Sequence, residues 1–139
     1  MRYIVGKINR TMFSRISHEI TTEDVIITEE RIEHCNKHQN AYNQYGIHIG
    51  AVLCDPDFIF LDSHPNTAVL VREIQTDGIN LQIVLRLHVL TDVPGYANSI
   101  ISLWNISEKR KENYRKNKIV IYKRGDLSYD VHRAKMPRW

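Results

Sequence analysis

Two histidines one helical turn apart, His34 and His38, have the residue type and spacing best suited to chemistry in this 139-residue chain. They follow a helix-capping threonine, Thr28, and side chains four residues apart project from one face of a helix. Because histidine titrates near neutral pH, one ring can accept a proton while the other donates one. Two alternatives stay open. The pair can be ordinary surface histidines, or it can ligate a metal with Cys35 or Cys54, although a closed zinc site needs about four ligands and this spacing does not supply them. We therefore predict no metal.

A second pair of candidates lies on the clearest strand of the sequence, Leu81 to Leu90. Apolar residues alternate along it, which assigns them to the core and puts Arg86 and His88 on the opposite surface. A planar guanidinium suits the oxygens of a phosphate, so we predict a phosphate clamp at Arg86 and substrate binding at His88. The alternative is that both face solvent or pair with Glu73.

Positive charge collects late in the chain, whereas the first quarter is acidic. A predicted strand, Asn98 to Ser107, is followed by a basic segment that we predict to be a helix capped by Ser107 and anchored by Tyr114. Such a segment attracts phosphates, although a solvated helix face is an equally good interpretation. The cations assigned to substrate binding are Lys109, Arg110, Arg115, Lys116 and Lys123.

Hydroxyl groups on the last two predicted strands complete the candidate site. Ser99 and Ser102 are an odd number of residues apart, so we expect them on opposite faces, with one hydroxyl satisfied in the core. Tyr122 faces away from Ile119 and Ile121 and can donate to a phosphate or stack on a base. It can also be an ordinary sheet tyrosine.

The order of predicted elements gives the fold class. Helices come first, over residues 9–20 and from Thr28 to about Tyr45, and strands joined by short turns follow. This order predicts an α+β fold with N-terminal helices packed on a four- to five-stranded antiparallel sheet. We expect one domain, residues 1–126, and a tail, 127–139. The chain has no membrane-length apolar run and no signal-peptide pattern, so we expect a cytoplasmic protein with reduced cysteines. Nucleotide-binding glycine loops, Cys-x-x-Cys pairs and serine elbows are absent from the sequence.

Several separated motifs follow one another along the chain. They are Val25-Ile26-Ile27-Thr28-Glu29-Glu30-Arg31-Ile32-Glu33-His34…His38, Asp55-Pro56-Asp57-Phe58-Ile59, Pro65-Asn66-Thr67-Ala68-Val69-Leu70, Leu81-Gln82-Ile83-Val84-Leu85-Arg86-Leu87, Asn98 to Arg110, and Ile121-Tyr122-Lys123. In this order they resemble the phage-associated family of the barnase–EndoU–colicin–RelE-like (BECR fold) nucleases. The resemblance implies N-terminal helices followed by a four-stranded antiparallel sheet, and metal-independent RNA cleavage by a toxin of a phage, a mobile element or a bacterial competition system. Family site positions correspond here to His34, His38, Arg86, Ser99, Ser102 and Tyr122.

The expected function is therefore a cofactor-free endoribonuclease that uses the 2′-hydroxyl of RNA as nucleophile and leaves a 2′,3′-cyclic phosphate. The expected partners are RNA, with transfer RNA as one candidate, and an antitoxin or immunity protein. The alternative from another class is a non-catalytic module that binds RNA or a protein through residues 109–124. A zinc-supported interaction domain is a third possibility.

Overall fold

A computed structural model describes residues 1–126, and the predicted tail, 127–139, lies outside the described residues. Short 3₁₀ turns occur at Arg10–Phe13 and Gly46–His48. The regular elements, in chain order, are β1 (Arg2–Lys7), β2 (Asp24–Thr28), α1 (Glu29–Lys37), α2 (Ala41–Tyr45), α3 (Ile49–Cys54), β3 (Phe58–Leu61), β4 (Thr67–Ile74), β5 (Ile79–Arg86), β6 (Asn98–Ile106), α4 (Glu108–Asn117) and β7 (Val120–Lys123).

The strands form one sheet in the order β1-β2-β6-β5-β4-β3-β7. Neighbouring strands are antiparallel except β2 and β6, which run parallel. The α+β class is confirmed, but the predicted four- to five-stranded antiparallel sheet is not matched, because the sheet has seven strands and is mixed. The additional strands are β1 and β2, and the sequence indicates β2 only as a short apolar run. Strand β2 pairs in parallel with β6, and the long stretch of chain between them provides the crossover that parallel pairing requires.

Alternate side chains of strand β5 point to the two faces of the sheet. Leu81, Ile83 and Leu85 are fully buried in the main hydrophobic cluster, together with residues of α1 and α3. We call this side the core face. Gln82 and Val84 point to the opposite side, where a smaller cluster includes Tyr114 of α4, and we call this side the α4 face.

Helix α4 is attached to the sheet by polar contacts as well as by packing. Ser107 caps it, accepting a hydrogen bond from the backbone N–H of Arg110 at 3.0 Å. The hydroxyl of Tyr114 donates to the side-chain oxygen of Gln82 at 2.6 Å, and the ammonium of Lys111 donates to Asn80 at 3.0 Å. The predicted cap and the predicted anchor are both confirmed, and they compensate for the missing apolar stripe of a short helix.

Two predicted helices are shorter than expected. The helix predicted from Thr28 to about Tyr45 ends at Lys37, because Gln39 and Asn40 have positive φ angles of 66° and 49° that no α-helix accommodates. The helix predicted over residues 9–20 is reduced to the first 3₁₀ turn. None of the helices between residues 1 and 126 has the length and apolar character needed to span a bilayer.

Candidate active site

Helix α1 presents His34 and His38 away from the core. Thr28 caps the helix, accepting from the backbone N–H of Arg31 at 3.2 Å, and Cys35 lies on the buried side. His34 and His38 are exposed, and their ring centroids are 6.0 Å apart. His38 is the C-terminal cap residue, with an extended backbone, and its ring meets that of His34 edge-on. The predicted juxtaposition of the two imidazoles is therefore present.

The residue after His38 fixes this pair to the sheet. The side-chain amide of Gln39 donates to the carbonyl oxygen of Asn105 at 3.1 Å and accepts from its backbone N–H at 2.8 Å. Gln39 thereby replaces a strand partner along the edge of β6 that β2 leaves open. The His38 ring lies edge-on to Trp104, with 5.9 Å between centroids. Since Trp104 packs in the cluster of the α4 face, the histidine pair borders that face.

Trp104 carries an unusual polar atom beside His38. Its indole N–H is buried and has no hydrogen-bond partner among residues 1–126. An unpaired buried donor destabilises a fold by about 1–3 kcal/mol, and such groups are rare.

A bulge in β6 changes the predicted placement of the serines. Ser102 pairs with Val84 and Ser99 pairs with Arg86, with a register shift between the two pairs. The extra residue, Ile101, reverses the alternation, so both serines share the α4 face with Arg86. The expectation of opposite faces is therefore wrong, and both serine side chains lie on the same side of the sheet.

Arg86 is held in place by its own neighbours. One guanidinium nitrogen donates to the carbonyl oxygen of Leu87, and the other donates to Asp92 at 2.9 Å. The backbone N–H of Val89 also donates to Asp92, and this bond together with Arg86 holds the pKa of that carboxyl below its ordinary value. The alternative pairing of Arg86 with Glu73 does not form. Asp92 orients the guanidinium but also offsets much of its charge.

Trp104, which His38 contacts, pairs with Gln82, so the histidine pair is offset by four residues along β5 from Arg86. Two other predicted site residues are placed elsewhere. The ring of His88 is largely buried, and its Nε2 donates to the carbonyl oxygen of Val93 at 2.8 Å. Its Nδ1 then accepts from the hydroxyl of Thr21 at 2.6 Å, so neither nitrogen is left for a substrate. Tyr122 pairs with Ile59 and packs against the main cluster, which puts it on the core face, four strands from β6.

The predicted cations are spread over the outside of α4 and over β7. Lys109, Arg110 and Lys116 are exposed on the helix. Arg115 lies over the ring of Phe58 and pairs with Glu112 at 3.2 Å, so part of its charge is offset. Lys123 pairs across the strands with Phe58 and therefore belongs to the α4 face. A positive rim borders the face that carries the serines and Arg86.

One group that the sequence did not single out lies in the turn between β3 and β4. The Asp62 carboxylate accepts from Nδ1 of His64 at 2.8 Å and from the backbone N–H of His64 at 3.0 Å. Burial alone would raise the pKa of Asp62, but these hydrogen bonds outweigh it and the pKa is lowered. Both residues, with Arg86, line a cavity of about 570 Å³ floored by Val84 and Ile101. The sequence pattern that could have indicated this group is an aspartate two residues before a histidine in a proline-containing turn.

Within residues 1–126 no group of three or more histidine, cysteine or acidic side chains is arranged to hold a metal ion. Comparison of the chain with family models, with curated proteins and with solved structures found no match. The resemblance to the BECR-fold nucleases accordingly stays a prediction, and the functional argument depends on the site itself.

Proposed function

We propose that the chain is a metal-independent endoribonuclease acting on RNA in the cytoplasm, with transfer RNA as one candidate substrate. The observation that carries the proposal is the pair of exposed imidazoles, 6.0 Å apart, beside a sheet face that also carries Arg86, Ser99 and Ser102. The resemblance to BECR-fold nucleases supports the same chemistry. It further implies a toxin of a phage, mobile element or competition system, neutralised in its own cell by an antitoxin or immunity protein.

The reaction needs two proton transfers. The 2′-hydroxyl of RNA attacks the adjacent phosphorus, the bond from phosphorus to the 5′-oxygen breaks, and the products carry a 2′,3′-cyclic phosphate and a 5′-hydroxyl. A base removes the proton of the 2′-hydroxyl and an acid protonates the departing 5′-oxygen. His34 and His38 are exposed side chains able to take part in these transfers.

Arg86 is the phosphate-holding group of this proposal. A guanidinium has five N–H donors, and the bonds to Leu87 and Asp92 use two, so three remain for phosphate oxygens within the described structure. Ser102 and Ser99 supply further donors to the phosphorane, whose added charge must be stabilised. Because Asp92 offsets the charge of Arg86, long-range attraction of RNA falls to the cations of α4, mainly Lys109, Arg110 and Lys116, with Arg115 and Lys123 at the rim.

Tyr122 and His88 have no part in this proposal. The first lies on the core face and the second has both ring nitrogens hydrogen-bonded. The mechanism therefore depends on fewer residues than the family resemblance implies.

A non-catalytic module that binds RNA or a protein is the second candidate. The observation in its favour is that the exposed cations of α4 belong to a different element from the histidines and could hold a polyanion without them. Its distinguishing property is binding without turnover.

The test is to incubate labelled RNA with the chain and excess chelator. We expect cleavage by the wild type and by His18→Ala, an exposed histidine outside α1, and cleavage reduced about 10²- to 10⁴-fold in His38→Ala or His34→Ala. Chelator-sensitive cleavage would contradict the metal-independent part. Full activity of both α1 variants would exclude the pair, and tight binding without cleavage by the wild type would favour the binding module.

A further inference from the structure

The turn between β3 and β4 carries an aspartate–histidine pair with the geometry of a proton-transfer group. Asp62 accepts from Nδ1 of His64 at 2.8 Å, and a carboxylate only accepts, so Nδ1 carries the hydrogen. The neutral ring then has its lone pair on Nε2, and the charged ring has a hydrogen there. The side chain of His64 is 82% exposed, so a ligand can reach Nε2.

The backbone around this pair is held in one conformation. The N–H of Asp62 donates to the carbonyl oxygen of Thr67 at 3.1 Å, and the N–H of Leu87 donates to that of Asn66 at 2.8 Å. Asn66 has a φ of 53°, which asparagine tolerates better than most residues. One hydrogen bond thus closes the turn and another joins it to the residue after β5, and together they hold the backbone that carries His64.

The cavity brings His64 to the same place as Arg86. Both line the space of about 570 Å³ over Val84 and Ile101, a volume that suits a nucleotide-sized ligand. His38 lies against Trp104 of β6, whereas the turn that carries His64 joins β3 and β4. In the sheet order β6-β5-β4-β3, strand β5 therefore lies between His64 and the α1 histidines.

The cleavage reaction requires proton-transfer groups on two sides of the phosphate. In an in-line displacement the attacking and leaving oxygens lie on opposite sides of phosphorus, as they do in phosphoryl transfer generally. His34 lies on α1 and His38 caps that helix, so both approach from the β6 side of β5. A base and an acid that both come from α1 would have to reach both oxygens from that side.

We propose that His64, oriented by Asp62, performs one of the two proton transfers at the phosphate held by Arg86, from the β4 side of β5, whereas the α1 histidines lie on the β6 side. This inference rests on the proposed ribonuclease function. As a base His64 would take the 2′-hydroxyl proton at Nε2, and as an acid it would give its Nε2 proton to the 5′-oxygen. The α1 pair supplies the complementary transfer, so the proton count balances.

The chain offers a matched control. His48 makes the same kind of bond to Asp77, also at 2.8 Å, but lies near the hairpin between β4 and β5, outside this cavity. The variants His64→Ala and His48→Ala both remove an imidazole bonded to an aspartate. Cleavage rates with chelator and binding of a 2′-O-methyl RNA, which lacks the nucleophile, separate turnover from affinity.

We expect His64→Ala to cleave about 10²- to 10⁴-fold more slowly while its affinity for the 2′-O-methyl RNA changes less than about threefold, and His48→Ala to match the wild type. Equal cleavage rates for the two variants would contradict the role of His64 and leave the proposed ribonuclease function intact. A loss of affinity in His64→Ala as large as its loss of rate would do the same. A wild type that does not cleave would overturn the proposed function and this inference together. Urea unfolding of both variants checks that they remain folded.

Discussion

The core face and the α4 face of the same sheet are built from alternate residues of the same strands, yet they differ in content. On β5 the core-face residues Leu81, Ile83 and Leu85 are apolar and fully buried. The α4-face residues of β5 include Gln82 and Arg86, and α4 packs over that face through Tyr114. The α4 face has a smaller apolar cluster, which leaves part of it for polar groups that can be arranged for a ligand.

The difference between the faces shows how a strand can serve packing and chemistry together. A hydroxyl or guanidinium on the core face would need a buried partner, whereas on the α4 face it can remain available to a ligand. Because of the bulge at Ile101, Ser99 and Ser102 lie together on that face. Substitutions on the two faces should therefore separate loss of stability from loss of activity.

The largest expected effect is on stability at the core face. Leu85→Ala should lower the free energy of unfolding by about 2–5 kcal/mol, because it leaves a cavity in a fully packed cluster. The matched change on the other face is Val84→Ala, which removes a half-buried side chain and should lower it by less than about 2 kcal/mol. Urea unfolding measures both, and equal losses would contradict the distinction between the faces.

The second effect is on activity at the α4 face. Arg86→Ala should reduce RNA cleavage by about 10²- to 10³-fold, because the phosphate loses a preorganised donor, and Arg86→Lys should restore only part of the rate because the fork is lost. Arg72, which pairs with Asp55 at 3.0 Å, provides the control arginine. Cleavage rates at saturating RNA make the measurement. A similar loss in Arg72→Ala would point to general destabilisation.

A smaller effect concerns the bond that holds α4 on its face. Tyr114→Phe should lower the free energy of unfolding by about 1–2 kcal/mol, because the buried oxygen of Gln82 loses its donor. Burial raises the pKa of Tyr114, so the folded state keeps its proton longer than the unfolded state does. The wild type should therefore lose stability as the pH rises above about 10, and Tyr114→Phe should lose less.

Urea titrations of both proteins between neutral and alkaline pH make this measurement. Tyr3→Phe, on the exposed edge strand β1, is the control and should change the free energy of unfolding little. An alkaline limb that is identical in the wild type and in Tyr114→Phe would contradict the assignment.

The smallest effect concerns Asp62 in the turn. Its folded-state pKa is lowered, so the carboxylate contributes stability above the ordinary value of about 4, and that contribution is lost as the pH falls through the folded-state pKa. Asp62→Asn should therefore be slightly less stable than the wild type at neutral pH, with the difference shrinking in acid. Thermal unfolding from pH 7 downward measures it, and a difference that does not vary with pH would contradict the hydrogen-bonding account.

How much could be predicted from the sequence depends on the range of each interaction. The alternation along β5 and the cap and anchor of α4 depend on neighbouring residues, and these predictions are confirmed. Other features depend on residues distant in the chain, and the spacing of residues in the sequence does not indicate them. They are the parallel pairing of β2, the hydrogen-bond partners of His88 and the bulge at Ile101.

The candidate site divides in the same way. The proximity of His34 and His38 follows from their short spacing at the end of α1, where His38 is the cap residue, whereas the position of Tyr122 on the core face follows from its pairing with Ile59. His64 was missed because an aspartate and a histidine two residues apart in a turn gain meaning only from the cavity they border with Arg86.

The central claim is that the α4 face promotes attack by the 2′-hydroxyl of RNA without a metal ion. Its most direct test gives the chain two oligonucleotides of one sequence, in chelator, one all-ribose and the other with every 2′-hydroxyl methylated, and identifies the product ends. We predict that the first is cut to fragments ending in a 2′,3′-cyclic phosphate and that the second is bound but left intact. Cleavage of the methylated strand, or ribose products without the cyclic phosphate, would contradict the claim.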